Sequence, residues 1–377
     1  MTAQTGSPSG RSAQSKSPAG PLPPDIIKPE IRQDPSGIRH MKPGTPFRQI
    51  HRLLEQGADL CLDHSFGFAM SFYSWLKKHL AARHPAMDYQ SEKRQREIRH
   101  RCQSSLWMGV RNGVPIMEKA PHNPWLKEFY PGQELYYLRF TDFLGMNGAR
   151  QWFEKGLSLA SIEFRLHPFY GVYFPRRESH LVLFDQWLSA QAPFERAADI
   201  GTGCGILSFI MQKHGIGHIH ATDINPNAIY SLQQELSRHG QKKHLTIIPE
   251  LADLTGSFRP QTGDLLVCNP PWIPAGIRHT LDLATYYEAG FFQRLFGHLR
   301  DKCPAGSTIA LLFSDFAIQA GIIDQHPIEV ALDQFRDDFS LREVLQRPVI
   351  EQGSKATGWL SRLREKEKTA LYIIGRV

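Results

Sequence analysis

Apolar residues recur at helical spacing through the first part of the chain and at strand spacing through the rest. Phe47, Ile50, Leu53 and Leu54 lie three or four residues apart, as do Phe72, Trp75, Leu76 and Leu80. Both stretches are therefore predicted to be amphipathic helices. Thr45 and Pro46 precede the first and read as an N-cap followed by proline at the first helical position. The run 92–101 carries Lys93, Arg94, Arg96, Arg99 and Arg101. It reads as a solvated helix face, with contact to phosphate or to an acidic protein surface as the alternative. A turn-rich piece (Pro121, Asn123, Pro124, Pro131, Gly132) leads to a further helical pattern over 135–157.

From about residue 160 the pattern changes to β-branched and aromatic runs separated by turns. Residues 161–174 alternate as a hairpin would, and 179–188 read as a helix. Strands are expected at 196–200, 218–222, 245–248, 264–268, 308–313 and 370–377, with helices between most of them. Strands alternating with helices imply an α/β domain with a doubly wound, Rossmann-like parallel sheet, whose ligand lies at the carboxyl ends of the strands.

Composition sets the outer limits. Residues 1–24 hold five Ser, three Gly and five Pro, and no aromatic residue precedes Phe47, so 1–44 is expected to be a disordered tail. The remainder divides into a smaller, mainly helical, substrate-recognition domain over 45–160 and a catalytic domain over 161–377. The net charge of +7 is compatible with a nucleic-acid or ribosomal partner but does not establish one. Cys61, Cys102, Cys204, Cys268 and Cys303 form no C-x-x-C pair, which argues against a disulfide scaffold and a zinc ribbon. No apolar stretch has the roughly 18 residues that span a bilayer. A soluble, cytoplasmic protein without a membrane partner is expected.

The first chemical motif runs Asp199-Ile200-Gly201-Thr202-Gly203-Cys204-Gly205-Ile206. It joins a strand end to a helix start through a glycine-rich turn that a ligand can approach closely. Counting from Gly201, a dinucleotide loop would place a small residue where Ile206 stands, and no G-x-x-x-x-G-K-[ST] is present, so phosphate-cradling loops are excluded. An acid before the glycines suits a ligand with an ammonium group and would repel pyrophosphate. Asp223, eighteen residues after Gly205, ends the next strand, where a carboxylate can accept both hydroxyls of a ribose. Asp253 follows the third strand and can accept from an exocyclic adenine amine. These residues resemble the class I S-adenosylmethionine-dependent methyltransferases. The resemblance implies S-adenosyl-L-methionine as cofactor, held by Asp199, by the loop residues Gly201, Thr202, Gly203, Cys204 and Gly205, by Asp223, and by Asp253 with Leu254.

The fourth strand ends in Asn269-Pro270-Pro271-Trp272-Ile273-Pro274. Two prolines force the chain out of the sheet in a rigid turn. The Asn269 amide oxygen and the Pro270 carbonyl can then grip both hydrogens of an NH2 group, and Trp272 offers a flat face. Fixed acceptors enrich a delocalised nitrogen, orient it and stabilise the charge it develops, so no strong general base is needed. The tetrad resembles the [DNS]PP[YFW] signature of amino-methyltransferases acting on adenine N6, cytosine N4 or glutamine amides. NPPWIP, together with Phe174-Pro175-Arg176-Arg177-Glu178-Ser179-His180, is similar to the HemK-like branch that methylates glutamine in release factors and a ribosomal protein. Trp272 stands for that branch's tyrosine, and Ser179-His180 for its Thr-Glu.

The resemblance implies catalysis by Asn269, Pro270, Pro271 and Trp272. The acceptor would be a protein glutamine in a release factor or ribosomal protein, or an exocyclic base amine such as adenine N6 in structured RNA. A non-catalytic binding module is the reading from another class, and the joint presence of Asp199, the glycines, Asp223 and Asn269 argues against it. His214, His218 and His220 read as surface histidines with no metal site. Cys204 reads as a small turn residue without a nucleophilic role.

Overall fold

A computed structural model describes residues 22–62, 64–239, 245–276, 282, 285–349 and 359–377. The chain enters through β1 (Ile31–Arg32), β2 (Ile38–His40), α1 (Phe47–Glu55), β3 (Asp59–Cys61), α2 (Phe66–Arg83) and α3 (Tyr89–Ser104). It continues through β4 (Leu106–Arg111), β5 (Val114–Pro115), α4 (Trp125–Glu128), β6 (Leu135–Arg139) and α5 (Phe140–Lys155). A mainly helical domain is expected over 45–160; helices α1 to α5 lie in this region, and a six-stranded sheet in the order β1-β6-β4-β3-β2, with β5 on β4, runs through it. The pattern at 135–157 is a strand and a helix in series: the short run Leu135-Tyr136-Tyr137-Leu138 is apolar on successive residues, and its aromatic content favours an extended chain.

Part of the expected tail, residues 22–44, is structured. Strands β1 and β2 fall inside it, and Ile26, Ile38 and Met41 are buried. Asn227, fully buried, accepts from the Ile27 amide at 2.7 Å and donates to the Ile27 carbonyl at 2.8 Å. A few apolar residues among prolines suffice here because the rest of the protein supplies the surface they bury. The portion 1–21 lies outside the described residues. Helix α1 begins one residue later than expected, with Pro46 at the N-cap and Thr45 Oγ1 turned to the Lys42 carbonyl.

A short connection, β7 (Leu157–Ser158) paired with β8 (Arg165–Leu166), replaces the hairpin expected over 161–174. Gly171 and His167-Pro168 interrupt the alternation there, and proline cannot donate to a ladder. The catalytic domain then follows as α6 (Ser179–Ser189), β9 (Arg196–Ile200), α7 (Ile206–Lys213), β10 (His218–Asp223), α8 (Pro226–His239), β11 (Thr246–Leu251) and β12 (Leu265–Cys268). After it come β13 (Ile273–Pro274), β14 (Tyr286–Tyr287), α9 (Phe291–Lys302), β15 (Thr308–Ser314), α10 (Phe316–Gln319) and α11 (Pro327–Gln334). The chain closes through β16 (Phe339–Pro348), α12 (Trp359–Arg364) and β17 (Lys368–Arg376).

Seven strands form one sheet in the order β11-β10-β9-β12-β15-β17-β16, the first five mutually parallel and β17 antiparallel to both its neighbours. This is the doubly wound, Rossmann-like sheet expected. Strand β16, with exposed Ser340, Leu341, Arg342 and Glu343 near its start, carries too weak an apolar signal to be read from sequence. Residue alternation assigns the two faces. Ala197, Leu265, Val267, Ala310, Leu312, Leu371 and Ile373 join the core beneath α6 and α7. Ala198, Leu266, Cys268, Ile309, Leu311, Phe313 and Ile374 join the one beneath α9 and α11. The first core continues into the N-terminal sheet through Trp125, Phe169 and Tyr230, whose rings meet at 5.1 Å and 4.8 Å. All five cysteines are buried as free thiols.

Candidate functional site

The order of strands reverses between β9 and β12, which opens a crevice at their carboxyl ends. The glycine loop sits there. Amides of Gly201 and Thr202 both donate to the Thr222 carbonyl at the end of β10, at 2.9 and 2.8 Å. Gly201, Gly203 and Gly205 have φ of +73°, +54° and +83°, a region that a Cβ disfavours. A Cβ on Gly205 would also lie 2.6 Å from Leu232 Cδ1 on α8, whereas one on Gly201 would meet nothing within 4 Å. Gly205 thus serves helix packing, and Gly201 keeps the loop open towards the crevice.

A cavity of about 560 Å³ fills that crevice, and its wall includes Gly201, Gly203, Asp223, Asp253, Leu254, Asn269, Pro270 and Pro271. Asp223 accepts from the Gly203 amide through Oδ2 and from the Asn225 amide through Oδ1, both at 2.9 Å. Burial raises its pKa despite these bonds. One lone pair on each oxygen remains for a vicinal diol. Asp253 is half exposed and pairs with Arg294 of α9 at 3.0 Å.

Asp199, Thr202, Cys204 and Gly205 stand behind the wall. Asp199 is fully buried, and its Oδ2 accepts from Thr202 Oγ1 (2.8 Å), the Ser208 amide (3.0 Å) and Ser208 Oγ (2.6 Å). It therefore staples the loop to the first turn of α7. Oδ1 has no partner among the described residues, and burial lifts the carboxyl to about 6. Cys204 is 1 % exposed and its thiol is pushed up to about 12 by burial. It is a packed turn residue.

A second, smaller pocket of about 150 Å³ adjoins the first, lined by Trp272, Ile273, Arg177, Glu367 and Phe316 among others. Tyr173, Asn269, Pro270 and Pro271 line both cavities. Asn269 Oδ1 accepts from Trp272 Nε1 at 3.0 Å. Indole N–H is only a donor, so this bond fixes which end of the amide is oxygen. His180 of α6 is buried, and its ring meets Trp272 edge to face at 5.3 Å. Burial lowers its pKa to about 4, which keeps it neutral. Arg177 pairs at 3.0 Å with Glu367, whose other oxygen accepts from Ser314 Oγ.

The comparison with known families fits this arrangement of sheet, loop and paired cavities. Residues 181–286 match the methyltransferase small domain. The fold is that of the class I methyltransferases. A ribosomal protein L11 methyltransferase of Hydrogenovibrio crunogenus is 31% identical over 84 residues, covering 22% of this chain and 26% of that protein. A Methanocaldococcus jannaschii protein named as a protein N5-glutamine methyltransferase is 25% identical over 126 residues, covering 33% of this chain and 59% of its own length. The chain thus spans about a quarter to three fifths of these relatives. A solved ribosomal protein L11 methylase from Lactobacillus delbrueckii subsp. bulgaricus is 16% identical, covering 59% of this chain and 91% of that one, with a TM-score of 0.36.

S-adenosylmethionine is the cofactor of this methyltransferase domain. The residues present fit it: the glycine cradle gives backbone access, Asp223 has spare acceptors for the ribose, and Ile224, Leu254 and Phe291 give the cavity apolar walls. The cofactor-sized cavity is also lined by residues that the motifs left unnamed. Tyr173 precedes the segment 174–180, and Tyr287, Phe291 and Arg294 follow NPPWIP. Their sequence signal is the aromatic run Tyr286-Tyr287-Glu288-Ala289-Gly290-Phe291-Phe292, which lacks a fixed spacing. Of the three histidines near β10, His214 pairs with Asp185 at 2.7 Å and His220 with Glu250, both partly buried, while His218 is exposed. No helix among the described residues is long and apolar enough to cross a membrane.

Proposed function

We propose that the protein is an S-adenosylmethionine-dependent N-methyltransferase that modifies a planar amide or amino nitrogen of a translation-related macromolecule in the cytoplasm, with the side-chain amide of a protein glutamine as acceptor. The observation that carries this reading is the wall shared by the two cavities, Asn269-Pro270-Pro271. A cofactor-sized cavity on one side and a small pocket on the other bring a donor and a flat acceptor to one rigid turn.

When bound, S-adenosylmethionine would supply an electrophilic methyl group on a sulfonium sulfur, whose S–C bond breaks as the methyl is transferred so that the sulfur departs as a neutral thioether. Gly201, Gly203 and Asp223 would hold the cofactor, and Asp253 and Leu254 would contact its adenine. Asn269 accepts one acceptor N–H through the lone pair of Oδ1 that Trp272 leaves open, and the Pro270 carbonyl accepts the other. These bonds align the nitrogen and stabilise its positive charge as the N–C bond forms, and the proton leaves afterwards to water. The glutamine preference draws on the NPPWIP segment and on the name of the Methanocaldococcus relative. A second reading, an exocyclic amine of RNA, is favoured by one contact: Arg96 of the basic helix α3 reaches the Tyr286 hydroxyl at 3.5 Å, at the rim of the cofactor cavity. In either reading the N-terminal domain takes part in recognising the substrate.

Labelling a deletion-strain lysate with tritiated S-adenosylmethionine and the purified protein tests the proposal. Protease-sensitive, ribonuclease-resistant label is expected. Ribonuclease-sensitive label would replace the glutamine reading with the RNA one, and absence of label would remove the enzyme assignment.

A further inference from the structure

Helix α9 meets the cofactor cavity along one face. Phe292, Leu295, Phe296 and Leu299 are buried in the core beneath it, whereas Phe291 and Arg294, three residues apart and so neighbours on the helix surface, line the cavity. The Arg294 amide donates to the Gly290 carbonyl at 2.9 Å, so the side chain springs from a fixed first turn. Its guanidinium lies over the Phe291 ring, 5.9 Å from the centroid, and Nη1 donates to Asp253 Oδ2 at 3.0 Å. Asp253 comes from the turn after β11. There the Ala252 amide donates to the Asp223 carbonyl at 3.0 Å, and the Leu254 carbonyl accepts from Thr222 Oγ1. The acids expected at the ribose and at the adenine are thus tied together through the backbone.

The Asp253–Arg294 pair does little for the fold. The two side chains are 51 % and 57 % exposed, and an ion pair so open to water adds little stability. Its chemical effect is to set a pure acceptor beside a pure donor on a cavity wall that Leu254 and Phe291 otherwise make apolar. A guanidinium has five N–H groups in one plane, so a bond to Asp253 does not exhaust it. Adenine carries the complementary pair on its edge: the exocyclic amine donates, and the ring nitrogens to either side of it accept.

We propose that Arg294 is a cofactor-binding residue, donating to a ring nitrogen of the adenine (N1 or N7) while Asp253 accepts from the adjoining amine. The inference rests on the placement of adenine against Asp253 and Leu254, and it holds for either methyl acceptor. The pair selects a 6-aminopurine, because a 6-oxopurine would set a carbonyl oxygen against the Asp253 carboxylate.

Calorimetry on the full-length protein tests this without turnover. The ligands are S-adenosylhomocysteine and its 1-deaza and 7-deaza analogues, each with one ring nitrogen replaced by C–H. Arg294→Met keeps the stem and removes the donors. It is expected to weaken S-adenosylhomocysteine by about fivefold or more, as for a charge-assisted bond partly open to water, with a thermal midpoint close to that of the wild type. For the analogue lacking the contacted nitrogen, wild type and variant should bind alike. A penalty of equal size with all three ligands would mean that Arg294 acts only by holding Asp253, and it would overturn the donor role. Unchanged affinity for S-adenosylhomocysteine in Arg294→Met would overturn it too. Asp253→Ala checks the placement itself. Wild-type affinity in that variant removes adenine from this pair and the inference with it, whereas weakened binding there, beside an Arg294→Met penalty common to all three ligands, overturns Arg294 alone.

Discussion

Individual side chains in the methyltransferase domain divide into those that face a ligand and those that hold them. Asn269 lines both cavities and faces the acceptor in the proposed mechanism, so Asn269→Ala is predicted to lower methyl transfer by about a hundredfold or more while calorimetry finds S-adenosylmethionine affinity nearly unchanged. Trp272 acts on Asn269 through its indole N–H, and His180 braces the indole. Trp272→Phe should therefore slow turnover, with a smaller change in the acceptor KM, since the ring face survives and only the donor is lost. A matching loss in KM with kcat preserved would show the indole to be a platform only.

Asp199 gives a pH signature. Burial, opposed by the bonds from Ser208 and Thr202, raises its carboxyl from 3.8 to about 6. Because the folded value lies above the unfolded one, the stability it contributes is complete below about pH 4 and is lost as pH climbs through about 6. Asp199→Asn cannot ionise, so it should flatten that decline by about 3 kcal/mol in urea denaturation followed from pH 4 to 7.

At the level of elements, motif legibility followed backbone geometry. The glycine loop was legible because positive φ at Gly201, Gly203 and Gly205 leaves glycine as the natural choice. The strand-ending prolines were legible because no strand continues through them. Roles within the motif were less so. Thr202 and Cys204 share the loop's spacing, yet their side chains turn inward, and spacing alone does not say which way a side chain points. The segment 22–44 was hidden for another reason: its few apolar residues have meaning only against α8 and β6, far away in sequence. Gly205→Ala places a methyl 2.6 Å from Leu232 on top of an unfavourable φ, so a loss of about 2–4 kcal/mol is expected in chemical denaturation. Gly201→Ala has room for the methyl and should lose only about 1–2 kcal/mol from the backbone, with cofactor affinity falling as the methyl enters the cavity.

Across the whole molecule, the two sheets share one core, so the division into a tail, a helical domain and a catalytic domain describes the order of the chain better than its mechanics. Asn227 bridges the chain ahead of β1 to α8 and also donates to the Tyr170 carbonyl at 2.7 Å. Asn227→Ala would leave partly buried backbone groups at Ile27 and a buried carbonyl at Tyr170 unsatisfied, at about 2–4 kcal/mol. Hydrogen exchange should then speed up first over residues 22–32 and not at the glycine loop. Charge is also spread by region: basic side chains crowd α3, while carboxylates gather beyond α10, so a net charge of +7 conceals surfaces of opposite sign.

The five cysteines become reporters once their positions are known. Cys61 and Cys102 lie in the N-terminal sheet and its helix α3, Cys204 in the glycine loop, Cys268 at the end of β12 and Cys303 after α9, and none is exposed. Alkylating reagents attack thiolates, and burial suppresses both access and ionisation at Cys102, Cys204, Cys268 and Cys303. Each thiol can be capped only when its own element opens. Timed alkylation read by peptide mass would therefore chart the order in which this protein comes apart, with no label added and no residue changed.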